Sequence, residues 1–219
     1  MWLIAAAVIL GITFCGPIDA LADRSFAWHM AQHVSLMFVA APLVLAGKPV
    51  STLLRALPKQ YARAGANVLH SAAVRRLTHP IVAWLVFAAT LWITHFSALY
   101  QAALEHPAVH LAEHALYLGA ALLFWYPLVG GPAHWRPSHP IRMLYVFLAM
   151  PQGAFLSAAI LSSHYVLYPH YARAGLLDQQ NGATVMWVAG GLVMLATFLS
   201  TLTAWGVEEM RRDRNEAAA

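Results

Sequence analysis

The sequence predicts an all-α fold, a polytopic integral membrane helix bundle of six transmembrane helices with both termini cytoplasmic. Three observations carry this. Apolar residues make up 60% of the 219 and charged residues only 10%, more apolar surface than a soluble domain of this size needs. The apolar residues fall in runs close to the ~20 needed to cross a bilayer. Lys and Arg are crowded into alternate loops.

The predicted spans are about 2–17, 25–46, 78–100, 106–126, 141–163 and 183–205, in a single membrane domain over 1–219. Met1–Pro17 is apolar and is followed by Asp19 and Asp23. Ala20-Leu21-Ala22 has the form of a signal-cleavage site, but no Lys or Arg precedes the apolar run, so a retained helix is expected. The second span stops at Gly47-Lys48-Pro49, a helix breaker. The basic loop 47–77 has room for one short surface helix. The third span opens at Thr78-His79-Pro80, with Thr as N-cap and Pro in the first turn. The fourth follows a short link containing Glu105 and ends at Trp125-Tyr126-Pro127. A loop with Gly130-Gly131-Pro132, His134, Arg136 and His139 leads to the fifth span, where Pro151-Gln152-Gly153 predicts a kink. A polar loop over 164–182 precedes the sixth span, with Asp178 in its N-cap region. Gly190-Gly191 predicts close helix contact there. The charged tail, 208–219, is expected to fray.

An even number of spans puts both termini on one side. Lys48, Arg55, Lys59, Arg63, Arg75, Arg76, Arg136, Arg142 and the tail arginines share that side, against Arg24 and Arg173 opposite. The bias makes it the cytoplasmic side. It also accounts for the net charge of +4 without a nucleic-acid partner. The one cysteine, Cys15, excludes an internal disulfide and a Cys-only metal cluster within the chain.

Twelve histidines are unusual where burial in hydrocarbon is costly, and histidine is the commonest metal ligand. His29, His33 and Met37 recur at four-residue steps and share one helix face. His110 and His114 do the same on the fourth span, with His106 one step before them. With the predicted orientation, His29, His33, His95, His110, His114 and His164 lie within about two turns of the outer surface. His70, His79, His134 and His139 fall on the cytoplasmic side, His79 as a structural residue, and His170 in an outer loop. Two facing His-x-x-x-His pairs supply four nitrogens, a set suited to copper, zinc or iron. His29, His33, His110 and His114 are therefore the candidate metal ligands, with His95 and Met37 next. Asp19, Glu113, Asp178 and His164 are candidates for orienting ligands or drawing cations to the mouth.

Two alternatives stay open. His110-Leu111-Ala112-Glu113-His114 spells the H-x-x-E-H pattern of inverted zincins, with Glu113 as base, which would make a membrane metalloprotease. Paired histidines across helices could instead hold haem in an electron-transfer protein.

Four stretches carry a family resemblance. They are Gly16-Pro17-Ile18-Asp19; His29-Met30-Ala31-Gln32-His33 leading to Ala41-Pro42-Leu43; Ala103-Leu104-Glu105-His106 through His110 and His114 to Phe124-Trp125-Tyr126-Pro127; and Asp178-Gln179-Gln180 with Gly182, Met186 and Trp187. Together they resemble the CtaG-type cytochrome c oxidase assembly factors associated with caa-type oxidases. That resemblance implies a multi-pass protein of the bacterial plasma (inner) membrane that helps mature the oxidase at its copper centres. Members usually have about seven spans, against six predicted here. The function expected is non-enzymatic: copper held in an outward-facing His-rich pocket and delivered to cytochrome c oxidase subunits. A soluble periplasmic copper chaperone would be its donor.

Overall fold

In the computed structural model, which describes residues 1–130 and 136–218, the apolar runs are helical and no strand occurs among the described residues. Gly131-Pro132 and His134 lie outside the described residues. The first run forms α1 (Trp2–Cys15), followed after Gly16 by α2 (Pro17–Ala22). The second forms α3 (Phe26–Val34), a π-helical segment (Ser35–Ala40) and α4 (Ala41–Ala46). Ser25 caps α3, its hydroxyl accepting from the Trp28 N–H. Gly47-Lys48-Pro49 breaks the helix as its composition predicts, with Lys48 in the left-handed region at φ 49°.

The basic loop holds three surface helices rather than one: α5 (Pro49–Ala56), α6 (Lys59–Leu69) and α7 (Ala72–Leu77). None of them buries a residue. Leu53, Leu57 and Tyr61 are exposed beside Arg55 and Lys59, the pattern of helices lying at a membrane interface.

α8 (Pro80–His95) is capped by His79, not Thr78. His79 Nδ1 accepts from the Ile81 N–H, while the Thr78 hydroxyl donates to the Val74 carbonyl at the end of α7. Nor does this span run straight to Tyr100. It ends at His95 and bends by 70° into α9 (Ala98–Glu105), because Ser97 starts a new helix by accepting from the Leu99 N–H. α10 (Pro107–Trp125) ends in a π-helical turn, Tyr126–Gly130. α11 (His139–Leu161) continues through Pro151. A 3₁₀ turn, Pro169–Tyr171, leads to α12 (Gly175–Ala217).

α12 differs most from expectation. It begins eight residues before the predicted span and continues through the tail. Gly175, at φ +83°, makes the sharp entry that a side chain would strain. The tail is held by a Glu208–Arg212 pair one turn apart at 2.7 Å, by Trp205 Nε1 donating to Glu209, and by His139 of α11 at 3.4 Å from Glu208.

Four helical stretches are long and apolar enough to cross a membrane: Phe26–Ala56, Pro107–Gly130, His139–Leu161 and Gly175–Ala217. The bent pair α8–α9 makes a fifth if it counts as one span. α1 is apolar, but its 14 residues rise only ~21 Å against a ~30 Å hydrocarbon core. By length, then, four or five of the six predicted spans have a matching helix.

The core gathers Leu36, Met37, Phe87, Tyr117, Phe124 and Trp125, with Leu156 and Met194 closing it from α11 and α12. Trp125 Nε1 donates to the Met37 carbonyl within the π-helical segment, tying α10 to the second span. Close helix contact does not centre on Gly190-Gly191. A Cβ at Gly190 would make only ordinary contact with Phe38, and one at Gly191 would meet nothing within 4 Å. The tight point on α12 is Gly182, where a Cβ would overlap the Phe26 ring.

Candidate metal centre

α3 and the N-terminal half of α10 bring the two histidine pairs together. One ligand nitrogen from each of His29, His33, His110 and His114 lies within 4.8 Å of all the others. Their rings are neighbours in every direction: His29 to His110 at 5.1 Å between centroids, His33 to His114 at 5.2 Å, His110 to His114 at 4.2 Å. His29, His33 and His114 are buried, and His110 is half-buried at the mouth.

Helix periodicity explains each pair, and a carboxylate on a distant element explains why they meet. Asp178, in the first turn of α12, does not cap its own helix. It caps α3: the Ser25 hydroxyl donates to Oδ1 and the Phe26 N–H to Oδ2, both at 2.6 Å. The two helices therefore start side by side and run in the same direction. A negative charge also meets the positive end of α3. Asp178 thus sets the helix that carries His29 rather than lining the mouth.

Hydrogen bonds assign the tautomers. The Tyr171 hydroxyl lies 2.9 Å from the Ala22 carbonyl and 2.8 Å from His29 Nδ1. Both are satisfied when Tyr171 donates to Ala22 and accepts from the Nδ1–H of His29. His29 Nε2 is then a bare lone pair facing the group. His33 Nε2 lies 2.9 Å from it and so carries the proton between them. His110 Nε2 and His114 Nε2 are buried with no hydrogen-bond partner among the described residues.

The donor set fits a metal ion. Buried ring nitrogens are ordinarily hydrogen-bonded, and here two lack partners beside two more that can supply only one shared proton. Metal–nitrogen bonds of ~2.0–2.1 Å put opposed ligands ~4.2 Å apart, so a group spanning 4.8 Å needs only a sub-ångström contraction. Imidazole suits copper, zinc, iron and nickel.

The other sequence-predicted residues are placed as follows. His95 ends α8 and stands outside the four-histidine group, its Nδ1 donating to the Leu91 carbonyl at 2.8 Å. Met37 is buried in the hydrophobic core. Asp19 accepts from Gln32 Nε2 at 3.0 Å, and Gln32 also donates to the Thr13 carbonyl, locking α1 and α2 onto α3. Asp19 and Asp23 are near enough to His110 to act on its charge. Glu113 is buried, and neither of its oxygens has a hydrogen-bond partner among the described residues, so it orients none of the four histidines. His164 is exposed, as are His106 and His170.

Sequence reasoning missed Tyr171, Gln32 and Gln179. Gln179 is buried, accepting from the Leu167 N–H and donating to the Tyr165 carbonyl, which folds the 163–171 loop back so that Tyr171 reaches His29. Burial raises the Tyr171 pKa well above its ordinary value, so the phenol keeps its proton and the hydrogen-bond chain its direction.

Comparison with known proteins places this site in a family. The model of the cytochrome c oxidase caa3 assembly factor family matches residues 1–207. The chain belongs to this family. Three mycobacterial proteins, all described as uncharacterized, are similar along 96% of it. Mb0105 of Mycobacterium bovis and MT0111 of Mycobacterium tuberculosis are each 29% identical over 229 aligned positions, and ML1998 of Mycobacterium leprae is 25% identical over 232. This chain spans 34% of the length of each of them. No solved structure matches the chain. The four histidines, Asp178 and Tyr171 all fall within the stretch matched to the assembly-factor family.

Proposed function

We propose that this oxidase assembly factor binds copper between His29, His33, His110 and His114 and delivers it to a maturing oxidase subunit. The observation that carries the reading is the convergence of four imidazole nitrogens within 4.8 Å from two helices of a membrane bundle. Copper here is cargo, and the residues suit holding it reversibly. Neutral imidazoles bind without the closed thiolate cage of a structural site, and half-buried His110 leaves one edge through which the ion can exchange. Asp19 and Asp23 beside that edge attract cations.

The excess of Lys and Arg in the loops at the opposite end of the bundle supports reading this end as the outer face of a bacterial plasma membrane. A soluble copper chaperone outside the membrane could then reach it. The role needs no catalysis. The haem alternative requires a porphyrin plane between rings on different helices, whereas His29 and His110 lie 5.1 Å apart and His33 and His114 5.2 Å apart between centroids, with the other rings packed against them. The protease alternative requires Glu113 at the ion, and its carboxylate bonds none of the four rings.

The test is to purify the protein loaded with copper and count metal by mass spectrometry, beside a His29→Ala/His33→Ala/His110→Ala/His114→Ala variant checked for monodispersity and helix content. The wild type is expected to hold stoichiometric copper and the variant to lose it. A folded variant with full copper would overturn the assignment.

A further inference from the structure

Below the four-histidine group lies a separate cavity of about 40 Å³, bordered by His33, His95, Met30, Met37, Met186 and Ser157. Its two nitrogens are acceptors. His95 Nδ1 donates to the Leu91 carbonyl, which leaves Nε2 as a bare lone pair, buried and with no partner among the described residues. In His33 the proton sits on Nε2 toward His29, which leaves Nδ1 equally bare and buried. Three thioethers border the same space, and thioethers are acceptors too. No carboxylate borders it among the described residues. A pocket with two buried nitrogen lone pairs, three thioether sulfurs and no anionic group suits a soft cation of low charge, and thioethers select Cu(I).

We propose that this cavity is a second, softer copper site. It takes a monovalent cuprous ion on His33 Nδ1 and His95 Nε2, completed by thioether sulfur drawn from Met37, Met30 and Met186. The residue joining the two sites is His33. A neutral imidazole has one lone pair, so His33 serves the four-histidine group through Nε2 or the Met-lined cavity through Nδ1, never both. The metal-free tautomer already presents Nδ1. Met186 and Gly153 also line a larger cavity of about 260 Å³ that carries Met150 and Met194 between α8, α11 and α12, so further thioethers lie next to the site. This extends the proposed function without needing it, because apart from His33 the second site uses residues that the first does not.

The test loads the full chain in detergent with Cu(I) under anaerobic conditions and records X-ray absorption. A Cys15→Ser background is used, so that any sulfur scattering comes from methionine. Copper–sulfur scattering is expected in this protein. It should disappear in Met30→Leu/Met37→Leu/Met186→Leu, whose side chains keep the packing volume, while nitrogen-bound copper remains. Absence of sulfur scattering in the Cys15→Ser protein, as from a cavity holding only water, would overturn the proposal, and so would its survival in the leucine variant. His110→Ala/His114→Ala reports on the four-histidine group alone: sulfur scattering should persist there while nitrogen-bound copper falls. Unchanged nitrogen-bound copper in that variant would overturn the first site and leave the second standing.

Discussion

The phenol oxygen of Tyr171 lies 2.8 Å from Nδ1 of His29, across 142 residues of chain. Because the same hydroxyl donates to the Ala22 carbonyl, it accepts from the imidazole and holds it in the tautomer that aims a lone pair at the other histidines. Partners of this kind fix ligand orientation, and their loss typically costs 10–100-fold in metal affinity. Tyr171→Phe should therefore weaken copper binding by ~10-fold or more, measured by competition with a chromogenic chelator. The fold should lose only ~1 kcal/mol. Wild-type affinity in the variant would show that the tautomer is set elsewhere.

Asp178 makes a second long-range claim. Its two oxygens are the acceptors for Ser25 and Phe26 at the start of α3. Asp178→Ala should destabilise the bundle by ~2 kcal/mol, as expected for loss of a charged helix cap. It should also lower copper affinity, because α3 carries His29 and His33. Thermal unfolding in detergent reads the first effect, and a change below ~0.5 kcal/mol, the size of an ordinary surface substitution, would remove Asp178 from this role.

These two residues mark where sequence reasoning stops. The i, i+4 spacing put His29 with His33 and His110 with His114 on common faces, and the loop charges put both pairs at one end of the bundle, so the four-histidine set was legible. The partners across the bundle were not. Tyr171 sits in a loop whose path depends on Gln179 bonding two backbone groups, and no local pattern encodes that. Asp178 was legible as a helix-start residue, but not the helix it would cap. The bend after His95 was hidden because 78–100 reads as one apolar run, and a single serine, Ser97, divides it. The tail was misjudged for the opposite reason. Its charges pointed to a frayed end, yet Glu208 and Arg212 are one turn apart and Glu208 also reaches α11.

Glu113 separates a metal carrier from a hydrolase. Its carboxyl is 2% exposed and no hydrogen bond reaches it among the described residues. A charged carboxylate would be costly there, so Glu113→Gln should leave stability equal or higher. Copper content should be unchanged, because the Glu113 carboxylate hydrogen-bonds none of the candidate ligands. Full copper together with unimpaired oxidase assembly in cells carrying the variant is the expected result. Loss of assembly with copper retained would instead point to Glu113 as an acting group.

Gly182 tests how finely the site depends on helix approach. It lies one turn after Asp178 on α12, directly against Phe26, and a Cβ there would overlap the ring. Phe26 has nowhere to retreat, since it is fully buried and stacked on Tyr168 at 4.9 Å with Tyr100 and Tyr171 against its edges. The ring must displace its neighbours or α3 must move away from α12, and overpacking of this kind costs ~1–3 kcal/mol. Phe26 is less than one turn from His29, so the strain reaches the ligand end of α3. Gly182→Ala should lower the unfolding temperature in detergent and weaken copper binding together. Gly191→Ala, where a Cβ meets nothing within 4 Å, should change neither. If both variants behave like wild type, α3 and α12 are not in the close register that brings Asp178 to Ser25 and sets the histidine pairs in place.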